Sequence, residues 1–123
     1  MDDRQVAIYL GRVRVAKGML LMIAPRTALR PALGSGLESP SAGVTARGVG
    51  AGEVVLGVGV SIAASERMGS ANWMSMCAAS DTLGAAALLL TPSLPRRARL
   101  FGLMSVASAV FHFRVARGLS QAS

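Results

Sequence analysis

The chain has little cysteine, few aromatic residues and few charges for its length, and each shortage removes a class of protein. A single cysteine, Cys77, leaves no intrachain disulfide and no cysteine metal cluster to build. Aromatic residues make up 4% of the chain, too few to stack bases along a nucleic-acid strand. The lone histidine, His112, has no second histidine or cysteine near it in sequence, so no metal set and no metal cofactor are expected. Polar and apolar residues do not alternate, which sets aside strands and a membrane barrel. No nucleophile–base pair is visible, and the reading leans away from an enzyme. Charged residues are only 15%, with six acids against thirteen bases and a net charge of +7. Those bases stand at or near the ends of apolar segments rather than along one continuous face, so nucleic acid is not an expected partner despite the pI near 11.5.

What the chain does have is apolar length. Hydrophobic residues are 52% of 123, and the mean hydropathy is +0.50. Four stretches of roughly bilayer-spanning length take up most of the chain: about 6–24, 44–64, 73–90 and 99–116; the first, with Arg12, Arg14 and Lys17 inside it, reads as a span or, alternatively, as an amphipathic helix lying in the interface. The first ends at Pro25, which cannot continue a helix. Residues Arg26–Ser41 read as a loop, with Pro31, Gly34, Ser35, Gly36 and Pro40 as turn signals. Glu66, Arg67, Gly69, Ser70 and Asn72 form a short polar turn before Trp73, a residue favoured at the lipid–water interface. Thr91–Arg97 breaks the chain again with two prolines, and a short polar tail follows Arg117-Gly118. Short connections make neighbouring spans antiparallel, so the expected fold is all-α: an up-and-down four-helix integral membrane bundle forming one domain. No cleavable leader is expected, because no Ala-x-Ala site follows the first apolar run. Arg26, Arg30, Arg96, Arg97 and Arg99 lean towards a cytoplasmic side for the first and third connections, with both termini outside.

Two acids interrupt that apolar text. Glu53 lies inside the second segment and Asp81 inside the third. An ionisable group at the centre of a bilayer costs about 2.5–3.5 kcal/mol on insertion scales, and it persists where it is paired, hydrated or used. Leu83, Leu88, Leu89 and Leu90 each return only about 0.3–0.6 kcal/mol, so the third segment needs polar neighbours. Helical phase supplies them. Gly50, Glu53, Gly57 and Ser61 share one stripe of the second segment; Cys77, Asp81, Gly84 and Leu88 share one of the third. Arg14, Lys17 and Gly18 do so on the first, and Ser105, Ser108 and His112 on the fourth. The stripes converge if Arg14 or Lys17 faces Glu53 and Asp81, with Gly50, Gly57 and Gly84 allowing close helix approach. His112 reads as an interfacial or end-of-helix residue beside Ser108. The seven methionines read as packing, and Cys77 as a small buried apolar residue.

The run Arg47-Gly48-Val49-Gly50-Ala51-Gly52-Glu53-Val54-Val55-Leu56-Gly57 resembles the second-helix signature of a family of small four-span bacterial membrane proteins of unknown function, near the DoxX-like group. Met22-Ile23-Ala24-Pro25-Arg26 and Ser80-Asp81-Thr82-Leu83 resemble it as well. At positions 51 and 52, where that pattern often carries a second arginine, this chain has Ala51-Gly52. The resemblance implies the four-span fold and adds Arg47 to the polar set around Glu53.

Two functions fit these residues. One is an accessory or assembly subunit of a larger complex in the bacterial inner membrane, with a membrane-protein partner or a second copy of the chain as its contact. The other is an intramembrane site for protons, a quinone or a lipid built on Glu53 and Asp81, whose carboxyls would then titrate nearer neutrality. The arginine-rich, alanine-, glycine- and valine-rich usage is that of a high-GC bacterial genome.

Overall fold

Asp2 starts the first helix. Its carboxylate accepts from the Gln5 N–H at 2.7 Å, and the Gln5 side-chain oxygen accepts from the Asp2 N–H at 3.2 Å, a reciprocal cap. In the computed structural model, which describes residues 1–35 and 38–122, five helices follow one another: α1 (Asp3–Ile23), α2 (Pro25–Leu33), α3 (Pro40–Glu66), α4 (Ser70–Leu90) and α5 (Arg96–Gln121). The described residues contain no strand. The expected all-α class holds, but with five helices rather than four.

The extra helix is α2, inside what the sequence presents as a loop. Ala24 (φ −133°, ψ 62°) breaks the path after Ile23, as residues before proline tend to do. Pro25 then occupies the first position of α2, where its missing N–H costs nothing. Pro31 lies inside α2 and Gly34 caps its end at φ 65°. Leu29 and Leu33, one turn apart, border a shared cleft with Leu21 and Val49, so the apolar side of α2 faces α1 and α3 across it. The turn signal at Gly36 lies outside the described residues.

Helix boundaries also run wider than the apolar text. Ser39 caps α3 through the Ala42 N–H at 3.2 Å, so α3 starts at Pro40 rather than Val44. It ends at Arg67 (φ 57°), and Gly69 (φ 68°) turns the chain into α4. Across this corner Arg4 reaches from α1, donating from Nε to the Ala64 carbonyl at 2.6 Å and from Nη2 to the Ser65 carbonyl at 2.8 Å. Those carbonyls are the negative end of α3, which favours a cation there. The last helix runs on to Gln121, taking in the stretch expected as a polar tail.

The long helices pack antiparallel. Arg4 lies against Ala64, Gly11 against Gly57 and Gly18 against Gly50, so α1 and α3 run opposite ways along their lengths. Gly59 sits under the Trp73 ring, and Gly102 under Leu88 and Leu89, giving the same sense to α3–α4 and α4–α5. Gly118 abuts Asp3, which returns α5 to α1. The α1–α3 and α4–α5 pairs are the intimate ones, and the two pairs meet over a narrower seam.

One spacing runs through the four long helices. The buried positions of α1 are Ala7, Gly11, Arg14, Gly18 and Leu21, alternating steps of four and three. On α3, Ala46, Gly50, Glu53, Gly57, Val60 and Ala64 repeat it. Met74, Ala78, Asp81 and Ala85 carry it on α4; Ala109, His112, Ala116 and Leu119 on α5. A period of 3.5 keeps one seam facing inward along the whole helix. Here that seam is mostly alanine and glycine, so the helices stand close together. Three of the long helices, α3, α4 and α5, are long and apolar enough to cross a membrane; α1 carries too many charges to qualify on composition.

A buried ion network as the candidate site

Each inward seam carries one polar residue at mid-length, and all four meet. Arg14, 3% exposed, extends from α1 between Gly11 and Gly18. Its Nη1 donates to Glu53 Oε2 of α3 at 2.6 Å. Its Nη2 donates to Asp81 Oδ1 of α4 and to the Cys77 carbonyl at 3.1 Å. One guanidinium therefore holds two helices to a third, in the forked geometry that arginine presents to carboxylates.

The remaining contacts widen the cluster. Lys17 Nζ reaches Glu53 Oε2 at 2.9 Å, but its side chain is 51% exposed, so it closes the rim rather than the centre. Ser108 of α5 donates from Oγ to Asp81 Oδ2 at 2.6 Å. His112 Nδ1 lies 2.8 Å from the Ser108 carbonyl and 3.2 Å from Asp81 Oδ2. A carbonyl only accepts, so Nδ1 donates to it, and the neutral ring then carries a lone pair on Nε2. That Nε2 and Arg14 Nε are the buried side-chain polar atoms without a partner among the described residues.

Backbone approach is what brings the charges inside. A Cβ built on Gly57 would stand 2.5 Å from the Gly11 carbonyl oxygen, and one on Gly18 would stand 2.5 Å from the Gly50 carbonyl oxygen. The reciprocal positions, Gly11 and Gly50, each leave 2.7 Å to the facing carbonyl. Two glycine pairs thus bracket the Arg14–Glu53 pair, one on either side. With backbones that close, the side chains need to reach only across one seam, and both Arg14 and Glu53 are buried. Low local dielectric makes the pair strong once made and costly to break.

The sequence-derived set divides cleanly against this geometry. Arg14, Glu53, Asp81, Ser108 and His112 come together in the interior, and Lys17 joins at the rim. His112 is buried (4% exposed), not interfacial as expected. Arg47 is a correction: it is exposed, and its Nε donates to the Met22 carbonyl at 3.1 Å, at the end of α1. It is not part of the network around Glu53. Gly50 and Gly57 pack as expected, whereas Gly84 is exposed and a Cβ there would meet nothing within 4 Å. The buried small residue beyond Asp81 is Ala85. Two participants went unread, the Cys77 carbonyl and Gly11. The four-three spacing of Ala7, Gly11, Arg14 and Gly18 carried the signal for Gly11, and nothing in the sequence marks a backbone carbonyl as an acceptor.

Among the described residues no group of three or more histidines, cysteines and acids is placed to hold a metal ion. Clefts of about 200–540 Å³ open among the described residues at the α1–α2–α3 corner, between α4 and α5, beside Arg30 and Glu38, and between α2 and α3, and Arg14, Glu53, Asp81 and His112 line none of these. No protein-family model, curated protein or solved structure matches this chain.

Proposed function

We propose that this is a small multi-pass protein of the bacterial inner membrane, crossing it as an up-and-down bundle of α1, α3, α4 and α5, and serving as an accessory or assembly subunit of a larger membrane complex. The observation that carries the reading is how the polar groups are spent. Three of the four carboxylate oxygens of Glu53 and Asp81 are engaged by Arg14, Lys17, Ser108 and His112, so the acids tie four helices together. Packing along α3 supports α1 as a span despite its charges, since its buried arginine is paired and Arg12 and Lys17 have stems long enough to snorkel.

The outer surface supports the partner. Gly48 and Gly52 of α3, and Gly84 of α4, face outward with open space where a Cβ would be. Glycine in a helix interior costs about 0.8–1 kcal/mol relative to alanine. Inside this chain nothing recovers that cost at these positions. A neighbouring membrane helix does, since Gly48 and Gly52 are one turn apart and small pairs at that spacing let two helices meet closely. Val44, Val49 and Val55 stand exposed around them. A second copy of the chain would satisfy the same face. The likeness of Arg47–Gly57 to the DoxX-like neighbourhood belongs to this proposal as well.

The decisive experiment is mild-detergent purification of the tagged wild type and of Gly48→Leu/Gly52→Leu from native membranes. The reading requires a stoichiometric co-purifying complex that the double variant loses while its helicity and melting point stay those of the wild type. Co-purification that persists in the folded double variant, or a wild type that runs alone, sinks it.

One observation favours a second reading. His112 Nε2 is buried and unpartnered while Nδ1 contacts Asp81, an arrangement that can accept a proton at one nitrogen and relay charge at the other. Under this alternative, an intramembrane site for protons, a quinone or a lipid, Asp81→Asn and His112→Gln keep the fold and the partner but abolish the activity of the membrane complex.

A further inference from the structure

The bundle is electrically lopsided. At the end where α1 hands over to α2 and α3 begins, Arg26, Arg30, Arg47, Arg96, Arg97 and Arg99 face a single acid, Glu38. At the other end Arg4, Arg67, Arg114 and Arg117 share their surface with Asp2, Asp3 and Glu66. Within the crowded basic end a cleft of about 490 Å³ opens between the start of α2 and the start of α3. Arg26 and Thr27 from α2, Ser39 and Arg47 at the start of α3, and the apolar Ile23 and Val44 all line it. Arg26 makes no ion pair among the described residues, and Arg47 spends only Nε on the Met22 carbonyl. Its Nη1 lies over Gly43, 3.5 Å from where a Cβ would be, so the guanidinium is turned towards the cleft.

The cleft is lined by charged and greasy groups together. Its lining includes two arginines and two hydroxyl residues, the donor set that recognises a phosphate ester. The first turn of α2 adds backbone N–H groups that no side chain caps. The same lining offers Ile23 at 72% exposure and Val44 at 70%, apolar surface that faces outward at the level where the long helices end. A soluble phosphate compound has no use for that surface. An acyl chain does.

We propose that this cleft binds the headgroup of an anionic phospholipid, with the phosphate between Arg26 and Arg47, Thr27 and Ser39 as hydroxyl donors, and the glycerol end of the chains over Ile23 and Val44. The inference rests on the membrane placement proposed above. It assigns α2 a purpose: the short helix carries Arg26 and Thr27 into the headgroup layer at a fixed distance from Arg47.

The test uses the purified full chain, delipidated in a neutral detergent and titrated with dioleoyl phosphatidylglycerol or dioleoyl phosphatidylcholine, read by native mass spectrometry and by thermal shift. Phosphatidylglycerol should bind at least tenfold more tightly than phosphatidylcholine. At roughly fivefold per arginine near an anionic surface, Arg26→Gln/Arg47→Gln should weaken it on the order of 30-fold. Arg96→Gln/Arg99→Gln removes the same charge from the same end outside the cleft, and should change binding less than about threefold by the same reasoning on screened charge. Equal losses in the two double variants would reduce the effect to a diffuse surface potential and overturn the site. So would equal binding of the two lipids. Competition by glycerol phosphate at lipid-like concentrations would assign the cleft to a soluble phosphate instead. If the double variant loses helicity, Arg26→Gln alone decides, since Arg26 makes no ion pair among the described residues, with about fivefold weakening expected. Alkaline carbonate extraction of the wild type is read separately: release from the membrane would sink the membrane placement without touching the phosphate titration.

Discussion

Adding one methyl group to Gly57 should loosen the molecule at its charged centre. The new Cβ would stand 2.5 Å from the Gly11 carbonyl oxygen, 2.8 Å from Val15 Cγ2 and 2.9 Å from the Val15 nitrogen. Ordinary contact begins near 3.4 Å, so α1 and α3 must part locally by about 0.9 Å, and the Gly11 oxygen and Val15 nitrogen are backbone atoms that no rotamer change can move. Overpacking of this kind costs roughly 1–3 kcal/mol. Against it stands the better helix propensity of alanine, about 0.8–1 kcal/mol. Separation also stretches the 2.6 Å Arg14–Glu53 contact, one seam position away, towards the limit of a hydrogen bond. The net expectation for Gly57→Ala is a loss of about 1–3 kcal/mol, once the weakened ion pair is added to the steric term. Gly52→Ala is the internal control, because a Cβ there meets nothing within 4 Å; it should be neutral or stabilising by up to about 1 kcal/mol. Both are read by reversible unfolding in mixed micelles, monitored by circular dichroism. Gly57→Ala as stable as Gly52→Ala would refute the idea that the glycine pairs set the helix separation.

Three other perturbations probe different parts of the structure. Arg14→Gln strips the guanidinium from two buried carboxylates and should cost about 3–5 kcal/mol in the same unfolding assay; adding Glu53→Gln and Asp81→Asn should recover more than half of that loss, and a triple variant no better than the single would count against the network. Cys77 is fully buried, so a membrane-permeant maleimide should leave the native protein unlabelled and react to completion once it is unfolded, as followed by intact-mass spectrometry. The six arginines at the α2 end predict that this end faces the cytoplasm; a periplasm-active phosphatase fused at the C-terminus should be active and a cytoplasm-active reporter silent, the opposite pattern reversing the assignment.

Much of the centre was legible because charge in apolar text is conspicuous. Glu53 and Asp81 have few ways to survive inside apolar helices, and Arg14 lies on the matching face of α1. What escaped reading did so for identifiable reasons. Pro31 and Gly34 announce a loop, yet in a helix of nine residues Pro31 removes a single intrahelical donor, and Leu29 and Leu33 gain an apolar surface to face. The family resemblance places Arg47 with Glu53, but six positions along a helix is about 120° away from the same face at 3.6 residues per turn. Gly84 failed for a similar reason. The seam steps by four after Asp81, which selects Ala85, and i+3 looked just as good without knowing the 3.5 period. His112 lies near the end of the apolar run, which suggested an interface; the helix in fact continues to Gln121 and keeps it inside.

The Arg14 fork also imposes an order in time. Its two acids lie 39 and 67 residues further along the chain. At synthesis rates of about 5–20 residues per second, α1 waits on the order of 2–8 s for Glu53 and 3–13 s for Asp81. With α1 as a span, the placement proposed above, the arginine has no carboxylate partner during the first interval, and α1 waits at the membrane surface or in the insertion machinery. On that same placement, the glycine pairs and Glu53 let α1 and α3 enter together as a hairpin once α3 arrives. Asp81 comes last on a helix that inserts poorly by itself, and it finds a guanidinium already buried and half satisfied. The segment with the greatest need of a partner is thus the one for which a partner has been prepared.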